Sequence, residues 1–143
     1  MHTLFYCSVA NQEISDADIL DILSVSRENN SKKNITGILV FQRKTREFMQ
    51  ILEGEKDVIF DLLDTIQEDL RHTSVDIVSE NKIEKREFQN WSMAFADLET
   101  VDKSKLEGIS EFLEKGFTTE LLKGGSENTS RLIKTFRTFI END

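Results

Sequence analysis

Stretches of strand length and of helix length alternate along the first two thirds of the chain, and their order restricts the fold more than any other feature. Apolar runs typical of strands occupy five segments: 3–9, 35–42, 46–53, 75–83 and 89–97. Amphipathic stretches typical of helices lie between them, at 16–30 and 55–69. The order is strand, helix, strand, strand, helix, strand, strand, and it predicts an α+β fold.

The first six of these elements match the ferredoxin-like pattern, in which two helices cover one face of a sheet. The second face needs a cover as well, because the first strand is apolar on both sides, with Tyr6 on one side and Phe5 and Cys7 on the other. We therefore predict a ferredoxin-like sheet of five strands, with two helices on one face and two C-terminal helices on the other.

The C-terminal third supplies those two helices. Apolar residues recur at helical spacing over 106–117 and again over 132–140. The pair Gly124-Gly125 between them is expected to break the chain, because glycine is a poor helix former. We expect residues 1–98 to form the core domain and residues 99–143 a helical extension packed on the sheet.

Local signals refine this organisation. Capping boxes at Ser15–Asp18 and Ser104–Glu107 mark two helix starts. Alternation along the last strand, which contains WSMAF, places Trp91, Met93 and Phe95 on one face.

Composition excludes several classes of function. The formal net charge of -9 argues against nucleic-acid binding, which depends on basic surfaces. The single cysteine, Cys7, excludes an internal disulfide and a cysteine-based metal site. His2 and His72 are far apart, and His72 is expected at the surface or at a helix end, so no metal site is predicted. No signal peptide and no membrane-spanning run is visible, so we expect a cytoplasmic protein without membrane contact.

One residue does not fit its strand. In FMQILEGE, residues 48–55, Gln50 alternates with Phe48 and Leu52, so its amide points into apolar surroundings. A buried amide without partners costs about 1–3 kcal/mol. In a ferredoxin-like sheet the first and third strands are neighbours, so Tyr6 and Gln50 are expected side by side.

Further amides converge on the same place, because Asn29 and Asn30 end the inward stripe of the first helix. Asn and Gln both donate and accept hydrogen bonds, and such a set suits a flat heterocycle edged with acceptors and N–H groups, such as a flavin. Five apolar residues are candidates to flank its faces: Ile22, Ile35, Val58, Leu62 and Ile66. The alternative is an ordinary polar network inside a core. From the pattern alone, this alternative stays open and is favoured.

Six short pieces of the sequence occur in the order and spacing of one known family. They are LFYCS at 4–8, SRENN at 26–30, ITGIL at 35–39, FMQILEGE at 48–55, EDLRH at 68–72 and FQNWSMAF at 88–95. Each piece is weak alone, but together the set resembles the BLUF family of flavin-binding blue-light sensors. The resemblance implies that Gln50 bonds to a flavin.

The resemblance also implies roles by position. Tyr6 corresponds to the tyrosine that gives an electron to the excited flavin, and Gln50 to the glutamine that bridges this tyrosine and the ring. Asn30 corresponds to the asparagine on the polar edge of the flavin, with Asn29 beside it and Ser26 close by.

The remaining matches lie near the second helix and the last strand. Ile66 and Asp69 match the cofactor side of the second helix, whereas Trp91 and Met93 match the mobile pair that relays the signal. Thr65 differs from the family pattern, since some members have an arginine near the flavin at this position. The resemblance therefore implies that this contact with the flavin is lost or replaced here.

The function implied is a blue-light photoreceptor without enzymatic turnover that binds FAD, with FMN as the alternative. Its output would pass to an unidentified downstream protein, because no effector domain is visible, and we expect a homo-oligomer. Two other functions stay open: a flavin-dependent oxidoreductase, and a cofactor-free ferredoxin-like adaptor.

Overall fold

The computed structural model describes residues 1–11 and 14–141 and contains a five-stranded sheet. Its strands are β1 (His2–Ala10), β2 (Thr36–Gln42), β3 (Glu47–Gly54), β4 (His72–Lys82) and β5 (Ala94–Asp97), in the order β4-β1-β3-β2-β5. The β1–β3, β1–β4 and β2–β3 pairs are antiparallel, whereas β2 and β5 run parallel. The predicted ferredoxin-like α+β fold is confirmed.

Helices α1 (Asp16–Lys33) and α2 (Lys56–Glu68) cover one face of this sheet. The predicted capping box at the start of α1 is present: the Ser15 hydroxyl accepts from the Asp18 N–H, and the Asp18 carboxylate accepts from the Ser15 N–H. The helix ends where Asn34 adopts a left-handed conformation with φ of 56°. The apolar faces of both helices pack on the side of the sheet that carries Leu4, Tyr6 and Leu52.

The second face is covered by the C-terminal third, as predicted. A 3-10 helix over Lys103–Ile109 leads into α3 (Ser110–Lys115) and the long helix α4 (Phe117–Glu141). Their side chains share one core with strand residues of that face, including Phe5, Cys7, Met49, Phe112 and Phe136.

A buried carboxylate joins β3 to α4. Glu47, 5% exposed, accepts hydrogen bonds from the backbone N–H of Phe117 at 3.0 Å and of Thr118 at 2.8 Å. The hydroxyl groups of Thr118 and Thr45 donate to the same carboxylate, at 2.9 and 2.7 Å. Glu47 thus satisfies N–H groups that the first turn of α4 leaves without intrahelical partners.

Two predictions about the C-terminal third are wrong. Helix α4 runs without interruption through Gly124-Gly125. The cost of two glycines, about 1 kcal/mol each, is offset by buried apolar side chains on both sides of them, such as Leu121 and Leu132. Ser104 and Glu107 form no capping box, since the Asp102 carboxylate accepts from the Ser104 N–H at 3.0 Å instead.

The last strand is shorter than predicted, because it begins at Ala94 and not near residue 89. Residues 88–93 form a turn and bends, with the Trp91 N–H donating to the carbonyl of Phe88 at 3.0 Å. The prediction that Trp91 and Met93 share a face is therefore wrong: Met93 packs with the core under α1 and α2, and Trp91 packs with the core under α4. Within 1–11 and 14–141, no helix has both the length and the apolar character needed to cross a bilayer.

Candidate functional site

Three side chains form a hydrogen-bonded line on the face under α1 and α2. Tyr6 and Gln50 stand opposite each other on the central strands, and the Tyr6 hydroxyl donates to Gln50 Oε1. Gln50 Nε2 donates to the thioether sulfur of Met93 at 3.4 Å. Tyr6 and Gln50 are 3% and 5% exposed, so the misfit amide has partners at both ends inside the core.

A cavity of about 200 Å³ lies beside this line, between α1 and α2. All seven residues predicted to bind a cofactor line it: Tyr6, Ser26, Asn29, Asn30, Gln50, Ile66 and Asp69. Trp91 and Met93, predicted as signal relay, lie outside the lining. Met93 still touches the site, because its sulfur accepts from Gln50.

The apolar residues of the cavity wall differ in part from the predicted ones. Of the five apolar residues expected to flank a ring, Ile35 and Val58 pack in the core instead of lining the cavity. Leu39 and Phe48 line it in their place, together with Val25. Strand alternation could have found Phe48, since it is two residues before Gln50 and shares its face.

The side-chain oxygen of Asn30 is a buried hydrogen-bond acceptor to which none of the described residues donates. Its Nδ2 donates to the carbonyl of Ser92 at 2.8 Å, whereas its Oδ1 has no hydrogen-bond partner among the residues that the structure describes. Leaving such a group unsatisfied costs about 1–3 kcal/mol. A ligand with an N–H on its edge would satisfy Oδ1, and a flavin ring has one such group between two carbonyls.

Polar residues surround the end of the cavity near the C-terminus of α2. Arg71 binds Asp69 through two of its nitrogens and also lies 3.5 Å from an oxygen of Asp21. The hydrogen bonds from Arg71 hold the pKa of Asp69 below its usual value. Thr65 lines the cavity, and its hydroxyl donates to the carbonyl of Asp61 at 3.4 Å.

His72 also belongs to this wall and is not a plain surface residue. Its Nε2 lies against the carbonyl of Ile66, so Nε2 must carry the proton, and its Nδ1 lies 3.0 Å from Ser8 Oγ. The imidazole therefore fastens the end of α2 to β1, although His72 itself is the first residue of β4 and not, as predicted, part of a helix end. Within the described ranges, no group of three His, Cys, Asp or Glu side chains is arranged to hold a metal ion.

The phenol of Tyr6 is expected to stay neutral at alkaline pH. Burial raises the pKa of Tyr6 well above its ordinary value, and the nearby Cys7 and Asp69 add to the effect. The unfolded chain releases this proton at about pH 10 and the folded chain does not, so the folded state binds more protons above that pH. Stability therefore falls as the pH rises beyond about 10.

Ultraviolet titration tests this expectation, because the chain has a single tyrosine. We expect no tyrosinate absorption at about pH 10 in the folded protein and its full appearance once the protein unfolds. A tyrosinate signal that reaches half its final height at this pH, while the protein is still folded, would contradict the burial of the hydroxyl.

Comparison with known proteins gives one consistent answer. The family model described as "Sensors of blue-light using FAD" matches residues 1–94. A curated relative, photoactivated adenylate cyclase subunit beta of Euglena gracilis, is 31% identical over 119 residues. The match covers 82% of this chain but only 14% of that relative.

Solved structures agree along nearly the whole chain. The dark-state structure of BlrB, described as a BLUF protein, matches with a TM-score of 0.77 and 26% identity. The photo-activated state of BlsA matches with a TM-score of 0.78 and 28% identity. Each comparison covers 96% of this chain and 95% of the other, so the similarity includes the C-terminal helices.

Proposed function

The chain belongs to the BLUF family, the sensors of blue light using FAD, and we propose on that basis that it is a blue-light photoreceptor holding a flavin non-covalently between α1 and α2. The observation that carries the proposal is the line from Tyr6 through Gln50 to Met93 at the edge of a cavity. A tyrosine, a rotatable amide and a ligand-sized space are the parts that such a sensor needs.

The residues of the cavity suit a flavin ring. Asn30 Oδ1 offers the acceptor that the N–H of the ring requires, and the polar side chains of Asn29 and Ser26 line the same cavity. Apolar Ile22, Leu62 and Ile66 flank the faces: all three line the same cavity. We propose FAD as the cofactor, with FMN as the alternative, because the family model that matches this chain is described as using FAD.

The chemistry assigned to the chain begins at Tyr6. When bound, a flavin would supply the absorption of blue light and, in its excited state, the ability to accept an electron. Tyr6 would supply this electron, and its phenol, as a radical cation, would be a strong acid that releases its proton along the existing hydrogen bond to Gln50 Oε1. Return of the electron and the proton restores Tyr6, so nothing is consumed.

The lasting change resides in Gln50, whose amide has rotated or tautomerised by the end of the cycle. An amide that has exchanged its donor and acceptor ends presents a different hydrogen bond to the ring, which shifts its absorption to longer wavelength. The same change alters the contact with Met93 directly, because its sulfur accepts a hydrogen bond from Gln50 Nε2.

We propose that the signal leaves the site through the segment that carries Met93 and Trp91. Trp91 packs against the core that the strands share with α4, so movement of this segment reaches the second face of the sheet. The output is contact with another protein, a second copy of this chain included, and no turnover is assigned to residues 1–98. The extension, 99–143, is the proposed output surface.

Illumination of the purified protein tests the proposal. Loaded with FAD and freed of excess cofactor, the protein is expected to be yellow and to show a red-shifted flavin band after blue light, which reverts in darkness without substrate or reductant. The same sample after unfolding serves as the control, because free flavin shows no reversible shift. A protein that retains no flavin indicates the cofactor-free adaptor, and bleaching that needs a reductant indicates the oxidoreductase.

A further inference from the structure

Two side chains of α1 hold two consecutive carbonyl groups just before β5. Asn30 Nδ2 donates to the carbonyl of Ser92 at 2.8 Å, and Arg27 Nε donates to the carbonyl of Met93 at 2.9 Å. Arg27 and Asn30 are three residues apart and therefore lie on one side of the helix. Helix α1 thus fixes the path of the chain at Ser92 and Met93.

This contact with α1 explains why Met93 reaches Gln50. The carbonyl of Trp91 still accepts from the Gly37 N–H of β2 at 3.1 Å, but the next two carbonyls turn to α1. Regular pairing with β2 resumes only at Ala94, opposite Ile38. Without strand alternation between Trp91 and Met93, the two side chains fall on opposite faces of the sheet and the thioether meets the amide.

The thioether favours one orientation of the Gln50 amide, because sulfur accepts hydrogen bonds and donates none. With Nε2 toward the sulfur and Oε1 toward the Tyr6 hydroxyl, both ends of the amide are bonded. Turning the amide sets Oε1 against the sulfur, so that two acceptors face each other. The turned amide is disfavoured for as long as Met93 is kept in place.

We propose that Arg27 is a positioning residue that shortens the lifetime of the light-induced state by holding Met93 against Gln50. This inference rests on the proposed photoreceptor function, in which the lasting change is a turned Gln50 amide. Without the bond from Arg27, Met93 withdraws from the amide oxygen and the turned amide becomes more stable. Arg27 is solvent-exposed, so its removal leaves no large cavity in the core.

A purely structural role for Arg27, fastening α1 to β5, would change stability and leave the kinetics alone. Thermal recovery of the dark spectrum after a blue pulse separates the two roles. In the flavin-loaded chain, Arg27→Ala is expected to slow recovery about five- to tenfold, which is the effect of one ordinary, solvent-accessible hydrogen bond. The matched control is Lys32→Ala, which removes another exposed cation of α1 whose partner is Glu28 at 3.5 Å, and it recovers at the unmodified rate.

Met93→Leu provides the second arm, since it removes the sulfur and nearly keeps the volume. Recovery is expected to slow in this variant, and adding Arg27→Ala is expected to change nothing further, because Arg27 acts through Met93. An Arg27→Ala recovery within about twofold of the unmodified chain overturns the inference, and so does an equal slowing in the Met93→Leu background. Absence of any light-induced shift in the unmodified chain refutes the photoreceptor proposal instead, and that measurement is made first.

Discussion

Tyr6→Phe is expected to abolish the lasting light-induced shift while the protein keeps its fold and its flavin. The phenyl ring fills the same space, so only the hydroxyl that donates to Gln50 is lost, at a cost in stability of about 1 kcal/mol. The chain has no other tyrosine, and its single tryptophan, Trp91, packs on the opposite side of the sheet. Among the described residues that line the cavity, none can therefore supply both the electron and the proton in place of Tyr6.

Flavin content and the difference spectrum after blue light measure this effect. Ser8→Ala is the matched control, because it removes another buried hydroxyl of β1, one that meets His72 and not Gln50, and it is expected to retain the shift. Gln50→Leu is expected to behave like Tyr6→Phe, since it removes the amide that carries the change. A Tyr6→Phe protein with a normal, reversible shift would show that the electron comes from elsewhere.

Glu47→Gln is expected to lower the free energy of unfolding by about 2–3 kcal/mol. The carboxylate accepts from two backbone N–H groups at the start of α4 and from two hydroxyls, and an amide of the same shape can accept at only one of its ends. The other end would direct its own N–H groups at donors. The change also removes a negative charge from a helix N-terminus, where it is stabilising. Such a loss is a large fraction of the free energy of unfolding of a typical domain, which is about 5–15 kcal/mol.

Urea unfolding followed by circular dichroism measures this loss. Glu99→Gln is the control: Glu99 is 56% exposed, 3.8 Å from Arg43, and its replacement is expected to change stability by less than about 0.5 kcal/mol. Equal unfolding midpoints for the Glu47→Gln variant and the unmodified chain would show that the contact does not fasten α4 to the sheet.

The sheet and the cover on both of its faces could be predicted from the pattern of residues, whereas Ser26 and Asp69 of the cavity lining were predicted only through the resemblance to the BLUF family. Alternation fixed the face on which Tyr6 and Gln50 lie, and the ferredoxin-like order of elements made their strands neighbours. The capping box at Ser15 is a local signal, and it marked the start of α1. The stripe ending in Asn30 indicated where the amides converge. These features follow from periodicity and short-range chemistry, which one sequence contains.

Two gaps in the prediction have a different cause, since each depends on a contact between distant segments. The strand expected near residue 89 starts later because α1 holds the carbonyls of Ser92 and Met93. Nothing near Glu47 in the sequence reveals that it meets Thr118, seventy-one residues away. Residue types that normally lie at the surface, such as Arg27 and Glu47, acquire their roles only through such long-range pairs.

Cys7 lies in the core that β1 shares with α4, and it is the chain's single cysteine. Burial and the neighbouring Glu47 raise the pKa of its thiol, so little reactive thiolate exists at neutral pH. A thiol-specific reagent consequently modifies the native protein only when the sheet face beneath α4 becomes open to solvent. The molecule thus contains its own chemical reporter for detachment of the C-terminal helices, at a single atom and without an introduced label.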